Sequence, residues 1–262
     1  MVQLGAYVDL HRRGELARRV KQACDLLASC QVCPHQCHVN RLANPMGKCR
    51  TGARAVVSSF GPHFGEEAPL VGQRGSGTIF FANCNLSCVF CQNYTISQLG
   101  EGREVSAEEL AAMMLSLQGR GCHNINLVSP THVVPQILEA LDLAVSRGLS
   151  IPLVYNTGGY DSVDTLKLMD GIVDIYMPDM KYADDEVARR YSGVDNYVSV
   201  NRAAVAEMQY QVGDLEIDEH GLAVRGLLVR HLVLPYGLAG SRETMRFLAN
   251  EISSNAYVNV MA

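Results

Sequence analysis

The chain has 262 residues, 48% of them apolar, which suits one large domain, or one with a small appendage, around a sizeable buried core. Its 22 basic and 27 acidic residues give a net charge of −5, so there is no broad positive field to attract nucleic acid or an anionic membrane. No stretch approaches the roughly 20 apolar residues of a membrane span. The start lacks the basic-then-apolar pattern of an export signal, so the expectation is a cytoplasmic protein whose partners are small molecules or other proteins.

Residues 1–75 read as an N-terminal helix followed by a Cys-rich metal-binding region. The helix carries an apolar stripe of Leu16, Val20, Ala23 and Leu27 that includes Cys24, and a basic surface of Arg12, Arg13, Arg18, Arg19 and Lys21 that reads as a solvated face. Seven of the nine cysteines fall in two tight groups, and without an export signal this favours metal ligation over disulfides. The first group is Cys30, Cys33, Cys37 and Cys49. Four thiolates close a tetrahedral site, and either a structural zinc ion or an auxiliary iron-sulfur cluster fits them. A short polar segment with little core of its own needs such a metal to fold. Pro- and Gly-marked extended segments follow, through Gly65.

From residue 76 to 262 short apolar runs alternate with helical periods, the pattern of βα units around a parallel sheet. Strands are predicted at 78–82, 124–128, 151–155, 172–177, 227–234 and 257–261, enough for a partial (β/α)6 TIM-type barrel. Ser106 to Glu109 forms a capping box ahead of an apolar stripe of Leu110, Met113, Met114 and Leu117. Val134, Ile137, Leu138, Leu141 and Val145 repeat that spacing, and residues 214–224 read as a hairpin.

The second cysteine group, Cys84, Cys88 and Cys91, lies just after the first barrel strand, where barrel active sites assemble. Its C-x3-C-x2-C spacing supplies three thiolates, one short of the four that saturate a cubane 4Fe-4S cluster, and one iron is left open for a ligand. A zinc knuckle borrowing a distant fourth ligand is the bland alternative.

This motif resembles the cluster motif of the radical S-adenosylmethionine (SAM) superfamily. Within it, the phrases HFGEEAPLVG, GSGTIFFANCNLSCVFCQNYTIS, HNINLVSPTHVVPQIL, VYNTGGY, DIYMPDMKY and RHLVLP are similar to homologues of pyruvate formate-lyase activating enzyme, over about residues 30–262. The resemblance implies a 4Fe-4S cluster on Cys84, Cys88 and Cys91 whose open iron is chelated by SAM. It also implies a flavodoxin or ferredoxin-type reductant, and a glycyl radical enzyme or another protein or peptide as substrate. The chain has little beyond the barrel, so the open side of a partial barrel is expected to admit a partner's loop.

Residue by residue, the resemblance places the main chain of Phe90 beside the adenine, although packing under the loop would also explain that ring. Where superfamily members carry a Gly-Gly-Glu motif for the methionine amine, this chain has Ser129, Pro130, Thr131 and His132, so Ser129 and Thr131 with their backbone carbonyls take that position. His132 is either a functional group or a helix-start residue. Asn156 and Thr157 follow the third strand, with Asn156 standing where an aspartate is expected. A monovalent cation held by Thr157, Met177 and Asp179 is implied too, weakened by the missing carboxylate. Asp179 and Lys181 are expected to face the cofactor's ribose and carboxylate, or to form only a salt bridge. Arg230 and Leu232 share one face of the fifth strand, and Leu232 is the one expected to meet SAM.

Overall fold

The computed structural model describes residues 4–43 and 47–262. The N-terminal helix is broken into α1 (Tyr7–Arg12) and α2 (Glu15–Asp25), because Gly14 between them turns into the left-handed region at φ 70°. Leu16, Ala23 and Leu27 of the predicted stripe are buried. The basic surface is largely solvated, except that Arg19 folds back to Glu15 and the carbonyl of Leu168.

Among the described residues nine strands form one sheet in the order β3-β1-β2-β4-β5-β6-β8-β7, with β9 also paired to β8. They are β1 (Ala55–His63), β2 (Ser76–Phe81), β3 (Arg103–Val105), β4 (Ile125–Val128), β5 (Leu153–Thr157), β6 (Ile175–Pro178), β7 (Glu216–Ile217), β8 (Ala223–Leu232) and β9 (Tyr257–Met261). β2, β4, β5, β6, β8 and β9 run parallel, and these are the six predicted strands. The 214–224 hairpin appears as the antiparallel β7–β8 pair.

After the short α3 (Ala68–Val71) and α4 (Tyr94–Ser97), the longer helices cover the outer face of the sheet. They are α5 (Ala107–Gly119), α6 (Val134–Ser146), α7 (Val163–Leu168), α8 (Asp185–Ser192), α9 (Tyr197–Val212) and α10 (Ser241–Phe247). The capping box at α5 is formed on both sides: Ser106 Oγ accepts from the Glu109 N–H at 3.2 Å, and Glu109 Oε2 accepts from the Ser106 N–H at 2.8 Å. Leu110, Met113, Met114 and Leu117 are buried against the sheet, as are Val134, Ile137, Leu138 and Leu141 of α6. Among the described residues, no helix is long and apolar enough to cross a membrane.

The residues ahead of position 76 share this architecture. β1 pairs antiparallel with β2 and with β3, and Tyr7, Leu16 and Leu27 lie in the same core as α6. The connection between β1 and β2 crosses to the far end of the parallel sheet, where Asn259 of β9 donates to Glu67 at 3.0 Å. Leu70 of α3 is fully buried among Val154, Ile175, Met177 and Leu228, inward side chains of β5, β6 and β8. The side of the barrel expected to admit a partner's loop therefore holds the chain's own residues. A partial barrel has an apolar lumen that must be covered, and this segment covers it.

Candidate active site

The C-terminal ends of the parallel strands frame one cavity, about 680 Å³ when its open mouth is counted. Cys84, Cys88, Cys91, Ser129, Asn156, Thr157, Asp179 and Lys181 all line it, with Phe80, Leu86 and Val128 as apolar wall. Asn83, immediately before Cys84, sits at φ 67°, and Ser129 at φ 58°. Both are non-glycine residues held in the left-handed region, where the chain leaves β2 and β4 and bends over the site. Gly159, at φ 75°, is required by close approach: a Cβ there would lie 2.1 Å from the Asp179 carbonyl oxygen.

Three sequence-predicted residues lie outside the cavity lining. Phe90 packs edge-on to Tyr182, with ring centroids 6.3 Å apart. Thr131 is buried behind Thr157. Leu232 lies beyond the lining, and Arg230, two residues earlier on the same face, takes the place expected for it. Alternation along the strand identifies the face but not the depth at which the cavity begins.

Arg230 is the residue that sequence reasoning passed over. Its Nε donates to Asp179 Oδ1 at 2.8 Å and its Nη2 to Asn156 Oδ1 at 2.9 Å, with Glu67 4.0 Å away. Lys181 donates to the other Asp179 oxygen. Burial works against charge on Asp179, but Arg230 and Lys181 outweigh it and hold the carboxyl below its usual range. The Arg230 guanidinium thus bridges Asn156 and Asp179, the latter one of the residues of the expected cation site. Met177, expected beside Thr157 and Asp179 in that site, packs into the lumen around Leu70.

Behind Thr157, the buried Asp161 carboxylate accepts from three hydroxyls: Thr131 at 2.7 Å, Thr157 at 2.7 Å and Tyr155 at 3.0 Å. Burial raises its pKa and the three donors oppose that rise. His132 is structural: its ring is buried, Nε2 donates to the Ala82 carbonyl at 3.1 Å, and its own carbonyl accepts from Arg41 at 2.8 Å.

Each cysteine of the trio has a hydrogen-bonding neighbour. Cys84 Sγ accepts from the Leu86 N–H at 3.4 Å, Cys88 Sγ lies 2.9 Å from Ser192 Oγ, and Cys91 Sγ lies 3.2 Å from Ser97 Oγ. Ser97 and Ser192 carry no sequence signal of their own, since one comes from a helix a hundred residues downstream. Burial pushes the Cys84 thiol up to about 12 and raises Cys88, with Lys181 pulling Cys88 the other way. Ionised thiolates here call for a metal partner.

Three thiols lining one cavity, with no fourth cysteine among its lining residues, are the donor chemistry of a cubane with one open iron. Among the described residues, no three Cys, His, Asp or Glu side chains close around one point as a single ion demands. A 4Fe-4S cluster takes each thiolate on a separate iron, so its ligands stand further apart.

The N-terminal cysteines are also brought together. Cys33 lies within electrostatic reach of Cys30, Cys37 and Cys49, and Cys37 Sγ accepts from the Lys48 N–H at 3.5 Å. Cys30, Cys33 and Cys49 are buried and Cys37 is half-buried. Of the remaining two cysteines, Cys122 is buried and Cys24 half-buried.

A family model described as the radical SAM superfamily matches residues 78–207. An uncharacterized protein of Methanocaldococcus jannaschii, MJ0674, is 31% identical over 252 residues, spanning 93% of this chain and 68% of that protein. Among solved structures, native anSMEcpe with bound AdoMet aligns with a TM-score of 0.48 at 12% identity, over 69% of this chain and 49% of that one. Native anSMEcpe with bound AdoMet and the Kp18Cys peptide aligns at 0.49 and 12%, over 69% and 48%. This chain spans about half the length of those two. On the family model, whose match includes Cys84, Cys88 and Cys91, residues 78–207 are a radical SAM superfamily domain.

Proposed function

We propose that the chain holds a 4Fe-4S cluster on Cys84, Cys88 and Cys91 with SAM in the adjoining cavity, and takes a hydrogen atom from a partner protein to leave a glycyl radical there. The observation that carries this reading is the convergence of three thiols, one anchored carboxylate and two cations on one cavity at the strand ends. When bound, cluster and SAM together supply a 5′-deoxyadenosyl radical by one-electron cleavage of the sulfonium.

The protein's part is positioning and charge. Arg230 and Lys181 bring two cations to the cavity against Asp179, with Glu67 also 4.0 Å from Arg230, and Lys181 favours the charging of Cys88. Asn156 and the bent backbone at Ser129 offer polar groups to an amino acid moiety. Leu86, Phe80 and Val128 keep water away from a reactive radical.

A macromolecular substrate is supported by the rim. Val89, Tyr94 and Leu99 are exposed large apolar residues, next in sequence to the cavity-lining Cys88, Asn93 and Gln98. Such a rim suits docking of a protein segment at the mouth, since the lateral side is filled by residues 64–71.

Anaerobically reconstituted protein with SAM and dithionite is expected to form 5′-deoxyadenosine, and failure to do so overturns the reading. With a co-incubated glycyl radical enzyme, an electron paramagnetic resonance doublet of the glycyl radical is expected. Cleavage without that doublet on any candidate partner would assign the chain to another peptide or small-molecule substrate.

A further inference from the structure

We propose that Cys30, Cys33, Cys37 and Cys49 hold a second iron-sulfur cluster, through which electrons from an acidic redox protein reach the Cys84–Cys91 site across the His35–Asn85 contact. This rests on the reading above that Cys84, Cys88 and Cys91 carry a redox-active cluster.

The two cysteine groups share a wall. His35, between Cys33 and Cys37, donates from Nε2 to the carbonyl oxygen of Asn85 at 2.7 Å, and Asn85 is the residue after Cys84. The path from Cys33 to Cys84 is thus two covalent steps, one hydrogen bond and one further step. A second path runs from Cys49, whose carbonyl accepts from Thr51 Oγ1 at 3.0 Å, to Asn83, whose Nδ2 donates to that oxygen at 3.3 Å. Asn83 precedes Cys84 on its other side. Arg50, next to Cys49, donates to the carbonyl of Gln98, which lines the cavity. A site that only held the N-terminal segment together would have no need to clasp both neighbours of one cysteine in the other group.

Four thiols can hold either a tetrahedral zinc ion or a cubane. The contacts between the two cysteine groups favour the redox-active occupant, and metal content decides between them.

Charge and exposure give the direction. Between Asp25 and Glu66 the chain has no acidic residue and four arginines or lysines: Arg41, Lys48, Arg50 and Arg54. Lys48 and Arg50 are exposed on either side of Cys49, and Cys37 is the half-exposed member of the set. Arg41 is buried, so in a chain of net charge −5 the exposed Lys48 and Arg50 form the local positive face, which steers an acidic donor to the outer end of the site while the His35 end points inward. Each transfer moves one electron. The reduced donor is oxidised as the N-terminal cluster is reduced, and that cluster is reoxidised as the Cys84–Cys91 site is reduced.

The test begins with Cys84→Ala/Cys88→Ala/Cys91→Ala protein reconstituted anaerobically. About four irons per chain and the paramagnetic signal of a reduced cubane are expected. One zinc, or no metal, overturns the proposal. In the wild type, full reduction is expected to give a spectrum broadened by coupling between two nearby spins, and a simple sum of the two single-site spectra overturns the relay.

Transfer is then timed by stopped-flow bleaching with a reduced flavodoxin. In Lys48→Glu/Arg50→Glu protein the rate is expected to fall by roughly tenfold at low salt, the lower end of electrostatic steering. An unchanged rate removes this face as the docking site. His35→Ala is expected to slow reduction of the Cys84–Cys91 site by flavodoxin while the iron content stays that of the wild type. Equal rates would overturn the path. If the triple variant keeps its iron but wild-type protein never cleaves SAM, the proposed function fails and this inference stands.

Discussion

Asp179 and Arg230 meet end-on across the strand ends, Oδ1 to Nε at 2.8 Å, with their side chains only 15% and 21% exposed. The pair closes the cavity floor. Because Arg230 also holds Asn156, and Asp179 also holds Lys181, removing the carboxylate charge leaves two cations facing each other. Asp179→Asn keeps the shape and is expected to cost about 3 kcal/mol in urea unfolding, the low end for breaking a buried pair from one side. It is also expected to weaken SAM binding by about tenfold in calorimetry, because Arg230 and Lys181 lose their fixed positions. Unchanged affinity would place SAM away from this floor.

The Asp161 carboxylate satisfies three buried hydroxyls at once. Asp161→Ala leaves the Tyr155 hydroxyl and one of the two threonine hydroxyls, which also meet each other at 3.0 Å, without an acceptor, and each buried unsatisfied group costs on the order of 1 kcal/mol or more. A loss of about 3 kcal/mol is expected, and at this chain length a fall in Tm of roughly 6 to 10 °C. Asp161→Asn, which can still accept from two hydroxyls, is expected to lose about half as much. If the two variants lose the same, the network is not what stabilises the β5 end.

These two sites mark where the sequence was readable. The six parallel strands were legible because strands buried on both faces read as short apolar runs, unbroken at 153–155 and interrupted only by Asn126 at 125–128. The cysteine groups were legible because their ligands are close in sequence. Arg230 was not, because its role depends on depth along β8, and strand periodicity is blind to depth. Asp161, Ser97 and Ser192 were not, because hydroxyl and carboxylate partners assemble from separate loops and helices. The connection at 64–71 was the least legible: a Pro- and Gly-marked segment has no period, and nothing local says that it will enter the lumen.

Leu70 tests that lumen. Its side chain has no exposure and packs on Val154, Ile175, Met177 and Leu228. Leu70→Ala is expected to cost about 3 kcal/mol by lost burial and the cavity left behind, read from urea unfolding. Because α3 sits below the cavity floor, SAM cleavage is expected to change by less than twofold at a temperature where the variant is folded. A loss below 1 kcal/mol would mean that the segment covers the barrel loosely.

His132 gives a pH test whose sign is fixed by its burial. Burial, with Arg41 nearby, holds the imidazole down at about 3, against 6.5 for an exposed histidine. Between those values the unfolded chain binds one more proton than the folded one, so this residue makes stability fall as pH falls below 6.5, by about 1.4 kcal/mol per pH unit. Above 6.5 it contributes no slope. His132→Gln keeps an N–H donor for the Ala82 carbonyl and removes the titration. The difference in unfolding free energy between pH 7.5 and 5.5 is therefore expected to shrink by about 1.4 kcal/mol in the variant. An unchanged difference would mean that His132 is protonated in the folded protein, and its contact with Ala82 would have to be reread as one made by a charged ring.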